Sequence, residues 1–269
     1  MAGAAAAVAP RAPDALSPAV VPTQFGPAEV VPEPGRPWRV LLRVDGEDCS
    51  FVDLRDPGHL EFAYVRRLGD VVDVVAPPAQ PIVALHLGGG GFTLPRYVVH
   101  TRAGSRQTVA EICPVLLDLA REHLGLVTGR DLKVRIADAG LLLERRSGAS
   151  ADLLVLDCFR GTEVPGHLVT PQAMGHARRV LRPGGLFAAN VIDEPPLPAA
   201  RALARVLTDT FEHVAVIAAR KVLRGRQGGN AVLVAATAEL PASELAARAT
   251  RGAAPELVLT GAEAAAFAA

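Results

Sequence analysis

Four stations along the sequence carry residues that could build a nucleoside site with a proton acceptor at its centre. Gly88-Gly89-Gly90-Gly91 follows the apolar run IVALHL (82–87) and precedes a helical pattern. Four glycines remove every Cβ from the turn, so a ligand can reach the backbone and its amide N–H groups can donate. Close packing of backbone segments would demand the same residues. Glu111 closes the next strand-like run, 23 residues after Gly88, where an acid commonly accepts hydrogen bonds from ribose hydroxyls. A solvated strand end is the plainer account. Asp138, followed by Ala139, closes the third run and is either a contact to an adenine edge or the N-cap of the next helix. Asp157 closes the fourth, LLVLD (153–157), in the middle of the row, where a reacting group would sit.

The nature of the nucleoside is narrowed by what is missing. Gly88 and Gly90 match the start of GxGxxG, but Thr93 stands at its third glycine, which disfavours a dinucleotide. No GxxxxGK[ST] is present, which excludes a P-loop. His59, His86 and His167 could lie near the site, yet no pair has metal-ligand spacing and no metal is expected.

The elements that must position these residues alternate regularly. Strands are predicted at 82–87, 107–112, 132–137, 152–157 and 185–191, with helices at about 93–101, 114–124, 139–147, 171–181 and 196–210. Apolar strands joined by helices imply a parallel sheet covered on both faces. Strands near 212–219 and 230–237 are joined by a short Arg- and Gly-rich loop without a helix, so they pair as an antiparallel hairpin. Upstream, Asp45-Gly46 marks the turn of a small hairpin. Leu60, Tyr64, Leu68, Val71, Val72 and Val75 recur at helical spacing before Pro77-Pro78. The fold expected is α/β: a Rossmann-like, class I methyltransferase-type, mostly parallel seven-stranded sheet with a C-terminal antiparallel hairpin, preceded by a small N-terminal β-hairpin.

Composition sets the remaining bounds. Lys and Arg number 28 and so do Asp and Glu, so a nucleic-acid partner is not expected. No apolar run is long enough to span a bilayer, and three scattered cysteines form no CxxC, so a cytoplasmic protein without membrane contact is expected. Eight of the 22 prolines fall in residues 1–37, and 238–269 is largely alanine. The division expected is a disordered Ala/Pro-rich leader (1–37), an N-terminal hairpin and helix (38–78), a nucleoside-cofactor domain (79–237) and a flexible Ala-rich tail (238–269).

GGGGFTLPR (88–96) resembles the GGGDGGxxR signature of the spermidine synthases, the polyamine aminopropyltransferases. The likeness runs on through VAEICP (109–114), ADA (137–139), LLVLDCF (153–159), HLVT (167–170) and LRPGGLFAANV (181–191), and upstream Arg43-Val44-Asp45-Gly46 resembles the family's LDGxxQ hairpin. It covers roughly 40–237. The resemblance implies decarboxylated S-adenosylmethionine as cofactor and aminopropyl transfer to a small-molecule amine. It implies that Asp157 takes or orients the amine proton, Glu111 binds the ribose, Asp138 binds the adenine, and Gly88 to Gly90 cradle the cofactor tail. Relatives commonly form dimers or tetramers, which makes a homodimer an expectation.

The departures cluster on the substrate side. Gly91 and Phe92 replace the acid and the next glycine of GGGDGG, and Arg160 stands where the family's loop has a second Asp. Counted without gaps from Asp45-Gly46, the hairpin Gln becomes Cys49 and a Tyr-His pair becomes Gly58-His59, which leaves His59 as the retained member. Tyr64 and Glu163 are candidates to compensate. Ordinary S-adenosylmethionine methyltransferases usually carry an acid just before their glycines, where this sequence has Ala84-Leu85-His86-Leu87. Methyl transfer from intact S-adenosylmethionine is nevertheless one alternative, because the missing acid would have repelled a cofactor carboxylate. A non-catalytic nucleoside- or partner-binding role is another.

Overall fold

Strands β5 (Val83–Leu87) and β8 (Ala151–Leu156) are almost wholly buried, because each is apolar apart from one residue, His86 or Asp152, with helices on both faces. A computed structural model describes residues 17–251 and 255–269. Around β5 and β8 lie β6 (Arg106–Glu111), β7 (Leu132–Ile136), β9 (Leu181–Asp193), β10 (His213–Ala219), β11 (Gly229–Ala236) and β12 (Glu256–Thr260). The sheet order is β12-β10-β11-β9-β8-β5-β6-β7. From β9 to β7 neighbouring strands are parallel. β11 runs antiparallel between β9 and β10, and β12 adds antiparallel to β10. The chain proceeds outward from β5 to β7 and then returns to the other side of β5 as β8. That reversal leaves a crevice between the C-terminal ends of β5 and β8, the place where open α/β sheets bind ligands.

Two apolar layers cover the sheet. On one face Leu154, Leu156, Phe187 and Leu233 pack against α4 (Ala139–Arg145), α5 (Pro171–Val180), α6 (Pro198–Thr210) and α9 (Gly261–Ala268) through Leu143, Met174, Leu203 and Phe267. On the other, Leu153, Val155 and Ile217 meet α1 (Ala63–Val74), α2 (Thr93–Thr101) and α8 (Ala242–Ala249) through Leu68, Val98 and Leu245. Arg102 is buried after α2 and donates to the carbonyls of Val72, Asp73, Ala76, Pro77 and Gln80. It thereby satisfies the orphan acceptors where α1 ends.

Four sequence expectations are corrected. The small hairpin, β3 (Arg36–Val44) with β4 (Glu47–Asp53), is half of a four-stranded antiparallel sheet that also contains β1 (Ala19–Thr23) and β2 (Gly26–Glu33). The expected disordered leader therefore fails for residues 19–33; its first sixteen residues lie outside the described ones. Proline content misled here: Pro27 and Pro32 stand near the strand ends, Pro32 at a register shift, while Ala28 and Val30 alternate inward. These join Val40, Leu42 and Val52 against Phe92 and the apolar face of α3 (Pro114–His123). The helix grouped with the hairpin, α1, packs on the large sheet instead.

The tail is the third correction. It supplies α8, β12 and α9, which make the expected seven-stranded sheet eight-stranded; residues 252–254 lie outside the described ones. Its alanines allow close approach, and its side chains Leu240, Leu245 and Phe267 are buried. Ion pairs fix it to α1: Arg248 with Asp73 at 2.6 Å and Arg67 with Glu256 at 3.1 Å. Last, the loop between β10 and β11 holds a one-turn helix, α7 (Arg220–Leu223).

Candidate active site

The crevice at the ends of β5 and β8 opens into a cavity of about 450 Å³. Its floor is made by joining three strand ends. Gly88 N–H donates to Ala110 O at 2.9 Å and Asp157 N–H to Leu87 O at 3.0 Å. Gly88 has φ +105, and a Cβ there would collide with the Asp157 carbonyl. A Cβ at Gly89 would lie 2.8 Å from the Phe92 ring and 3.0 Å from Glu111 Oε2. The glycines are thus required by close approach of protein segments, and the same approach brings the turn, Glu111 and Asp157 to one cavity. The N-terminal sheet closes it from above: Gly91 N–H donates to Ser50 Oγ at 2.9 Å, and Thr93 Oγ1 donates to Phe51 O at 2.8 Å.

Both oxygens of Glu111 are held by backbone. Oε2 accepts from Gly89 N–H at 3.0 Å and Oε1 from Cys113 N–H at 2.8 Å. Burial raises its pKa, and these amide bonds oppose the rise. A carboxylate offers about four lone-pair directions, so each oxygen can still accept one hydroxyl. Asp138 is the N-cap of α4: Oδ1 accepts from Leu141 N–H at 3.0 Å, while Oδ2 lies 3.1 Å from His167 Nε2. Capping, one of the two readings of Asp138, is therefore present. Its other oxygen and Ala139 still line the cavity.

Asp157 lies at the centre. Burial pushes its carboxyl up to about 6, partly opposed by the Asn190 amide, which donates to Oδ1 at 3.1 Å. Asn190 is wholly buried on β9, and its own Oδ1 accepts from Asn230 Nδ2 on β11 at 3.0 Å. That second bond fixes which end of the Asn190 amide faces the carboxylate. Neutral groups lie near it. Tyr64 sits well above its usual pKa through burial and then the nearby Asp157 charge, and burial pushes Cys49 and Cys158 up to about 12. His86, against the cavity, is lowered to about 4 by burial and lies 2.9 Å from Gln107 Oε1, so it is a neutral structural ring. Near neutral pH a carboxyl with this value can take a proton from a reacting group and release it again.

The predicted residues divide cleanly. Tyr64, Gly88, Gly89, Gly90, Glu111, Asp138, Ala139, Asp157 and Arg160 line the cavity. Glu163 does not; it closes a tight turn with Arg160 through paired backbone bonds. His59 is also outside, with its Nε2 2.6 Å from Glu61 Oε2 and 3.1 Å from Arg39 Nη2. The count without gaps therefore chose the wrong pair, because the segment from 54 to 62 loops before α1. Tyr64 and Val65 are the residues that reach the cavity from it. Missed altogether were Ser50, Asn190 and Asn230. Asn190 had left a signal, as the one polar side chain in the run LFAAN. Among the described residues no group of three or more His, Cys, Asp or Glu is placed to hold a metal, and no helix is long and apolar enough to cross a membrane.

Against known proteins, a polyamine aminopropyltransferase from Vibrio vulnificus is 26% identical over 154 residues, 56% of this chain and 50% of that protein. The match thus spans half the length of the curated relative. A crystal structure of a probable spermidine synthase from Corynebacterium glutamicum superimposes with a TM-score of 0.87 at 29% identity, covering 96% of this chain and 94% of that one. The chain is thus similar to a probable spermidine synthase over nearly its whole length. The fold extends to a spermidine synthase from Thermotoga maritima, TM-score 0.64 at 18% identity over 84% of this chain and 74% of that one. No family model matches the chain. The sequence motifs that resembled the spermidine synthase family, from the glycine turn to Asp157, are the ones the fold gathers at the switch point.

Proposed function

We propose that this chain transfers an aminopropyl group from decarboxylated S-adenosylmethionine to an amine, with Asp157 accepting or orienting the amine proton. The observation that carries this reading is the placement of Asp157: one carboxyl, raised to about 6, at the switch point between the glycine turn and Asn190. The likeness to proteins named as an aminopropyltransferase and a probable spermidine synthase supports the transferase class and the amine acceptor. The glycine turn and Glu111 fit a nucleoside with a short aliphatic tail. Glu111, pre-oriented by two amides, would receive the ribose hydroxyls; Asp138 Oδ2 and the start of α4 would meet the base.

When bound, the sulfonium group supplies an electrophilic carbon and a neutral thioether leaving group. The residues of this chain need only hold the acceptor in line and manage one proton. An acceptor ammonium placed against Asp157 Oδ2 would lose a proton to the carboxylate and so free its lone pair. That lone pair would form the N–C bond as the C–S pair departs with sulfur, so that methylthioadenosine would be the nucleoside product. Tyr64, kept neutral, is a hydroxyl donor or acceptor beside the same carboxylate. Cys49 and Cys158, held as thiols, do not compete as nucleophiles.

Methyl transfer from intact S-adenosylmethionine is the second reading, favoured by Gly91, whose backbone bonds Ser50 and which places no carboxylate near the cofactor tail. Purified protein is incubated with each cofactor form and a panel of amines, and the nucleoside product is identified by mass spectrometry. Methylthioadenosine is expected. S-adenosylhomocysteine would replace this reading with methyl transfer, and tight binding without either product would leave a nucleoside-binding protein.

A further inference from the structure

The cavity has one guanidinium at its mouth. Arg160 N–H donates to Glu163 O at 2.8 Å and Glu163 N–H returns the bond to Arg160 O at 3.3 Å, so the backbone of Arg160 is fixed. Its side chain is exposed, lines the cavity, and pairs with no carboxylate among the described residues. Two of the carboxylates that share the cavity are held by other partners. Glu111 is held by two amides, and Asp138 by an amide and His167. Asp157 has the neutral Tyr64, Cys49 and Cys158 nearby. Asp45, in the turn of the β3–β4 hairpin, and Glu47, which opens β4, line the cavity from the N-terminal sheet, whereas Arg160 lies on the loop after β8. An acceptor whose nitrogen lies at Asp157 and whose other end reaches the loop therefore meets a cation.

We propose that the acceptor is an amine whose far end carries a carboxylate, and that Arg160 selects it over a diamine. A guanidinium matches a carboxylate with two parallel hydrogen bonds and repels an ammonium, so one side chain supplies both attraction and rejection. The inference rests on the aminopropyl-transfer reading. The reaction balances as before: the amine lone pair makes the N–C bond, the C–S pair departs with sulfur, and the surplus proton passes to Asp157. The acceptor carboxylate is unchanged, and the product is an N-aminopropyl amino acid.

The test compares putrescine with 4-aminobutyrate, which has the same chain with a carboxylate replacing one ammonium. Methylthioadenosine release is followed in the wild type, Arg160→Glu and Glu47→Gln. We expect kcat/KM for 4-aminobutyrate to exceed that for putrescine by about tenfold or more, and Arg160→Glu to reverse the order. Because the side chain is exposed, this variant should keep the wild-type melting temperature. Putrescine preferred by the wild type, or putrescine use that depends on Glu47, overturns the proposal and leaves aminopropyl transfer standing. A fall in affinity for intact S-adenosylmethionine on Arg160→Glu, with acceptor preference unchanged, assigns the guanidinium to the cofactor and also overturns it. No methylthioadenosine with any amine instead removes the transfer reading on which it rests.

Discussion

The two halves of the cavity are built by opposite rules. On the sheet side every carboxylate is already engaged: Glu111 by the amides of Gly89 and Cys113, Asp138 by Leu141 and His167, Asp157 by Asn190. Strand ends and helix starts fix these partners, so that half is preorganised whatever the ligand. On the rim, Arg160 is held by its backbone alone and its charged end faces solvent. The first arrangement suits an invariant nucleoside; the second can be retuned by a single substitution without disturbing the sheet. Changes on the sheet side should therefore damage binding or chemistry outright, and changes on the rim should alter choice.

The largest effect is expected at Asp157. Asp157→Asn should lower kcat by about 10²–10⁴-fold, the usual worth of a positioned acid or base, while calorimetry shows nucleoside affinity within about twofold of wild type. Retained turnover would remove Asp157 from the mechanism. In the wild type, kcat/KM should rise with pH through about 6, since the carboxylate is the active form. A profile flat from pH 5 to 8 counts against the same assignment. Glu111→Gln comes next. The amide keeps the size of the side chain but turns one acceptor into a donor aimed at a backbone N–H, and it loses a charge. Nucleoside affinity should fall about 10–100-fold, consistent with ~1.5–3 kcal/mol for a hydrogen bond to a charged group. Unchanged affinity would mean that Glu111 only staples the glycine turn to β6.

Much of the sheet-side half was legible in the sequence, and the reason is geometric. In a parallel α/β sheet the residue closing each strand must face the crevice, so Glu111, Asp138 and Asp157 could be read from strand periodicity and spacing. The rim and the N-terminal cover depend on loop length and sheet-to-sheet packing, which no period encodes. That is why His59 was chosen beside Tyr64, although Tyr64 and Val65 reach the cavity and His59 does not. Alanine and proline counts failed at the chain ends for a related cause. Ala28 and Val30, or Leu245 and Phe267, are too few to stand out in composition, yet each is buried against a partner far away in sequence.

A smaller effect probes how far preorganisation extends. Asn230 makes no contact with the carboxylate; it acts by fixing the Asn190 amide, whose N–H stabilises the charged form of Asp157. Asn230→Ala frees that amide to turn its oxygen toward the carboxylate, which disfavours the charge. The pKa of Asp157 should therefore rise by about half a unit to one unit. Activity should fall a few-fold near pH 6 and recover by about pH 8, with the affinity for nucleoside unchanged. Carbon-13 titration of the Asp157 carboxyl reads the same shift without turnover. A loss of activity equal at all pH values would point to distorted packing and not to an oriented dipole.

The smallest effect concerns Asp138 and marks the border between the halves. His167 is exposed and contacts Oδ2 at 3.1 Å, whereas the N-cap bond uses Oδ1. An exposed pair of this kind contributes about 0–1 kcal/mol, so His167→Ala should change nucleoside affinity by no more than about fivefold. The direction carries the information. If Oδ2 receives the base, removing the ring frees an acceptor, and affinity should stay level or increase. A larger loss would show that the histidine itself touches the ligand, and the preorganised half would then extend into the 166–168 turn.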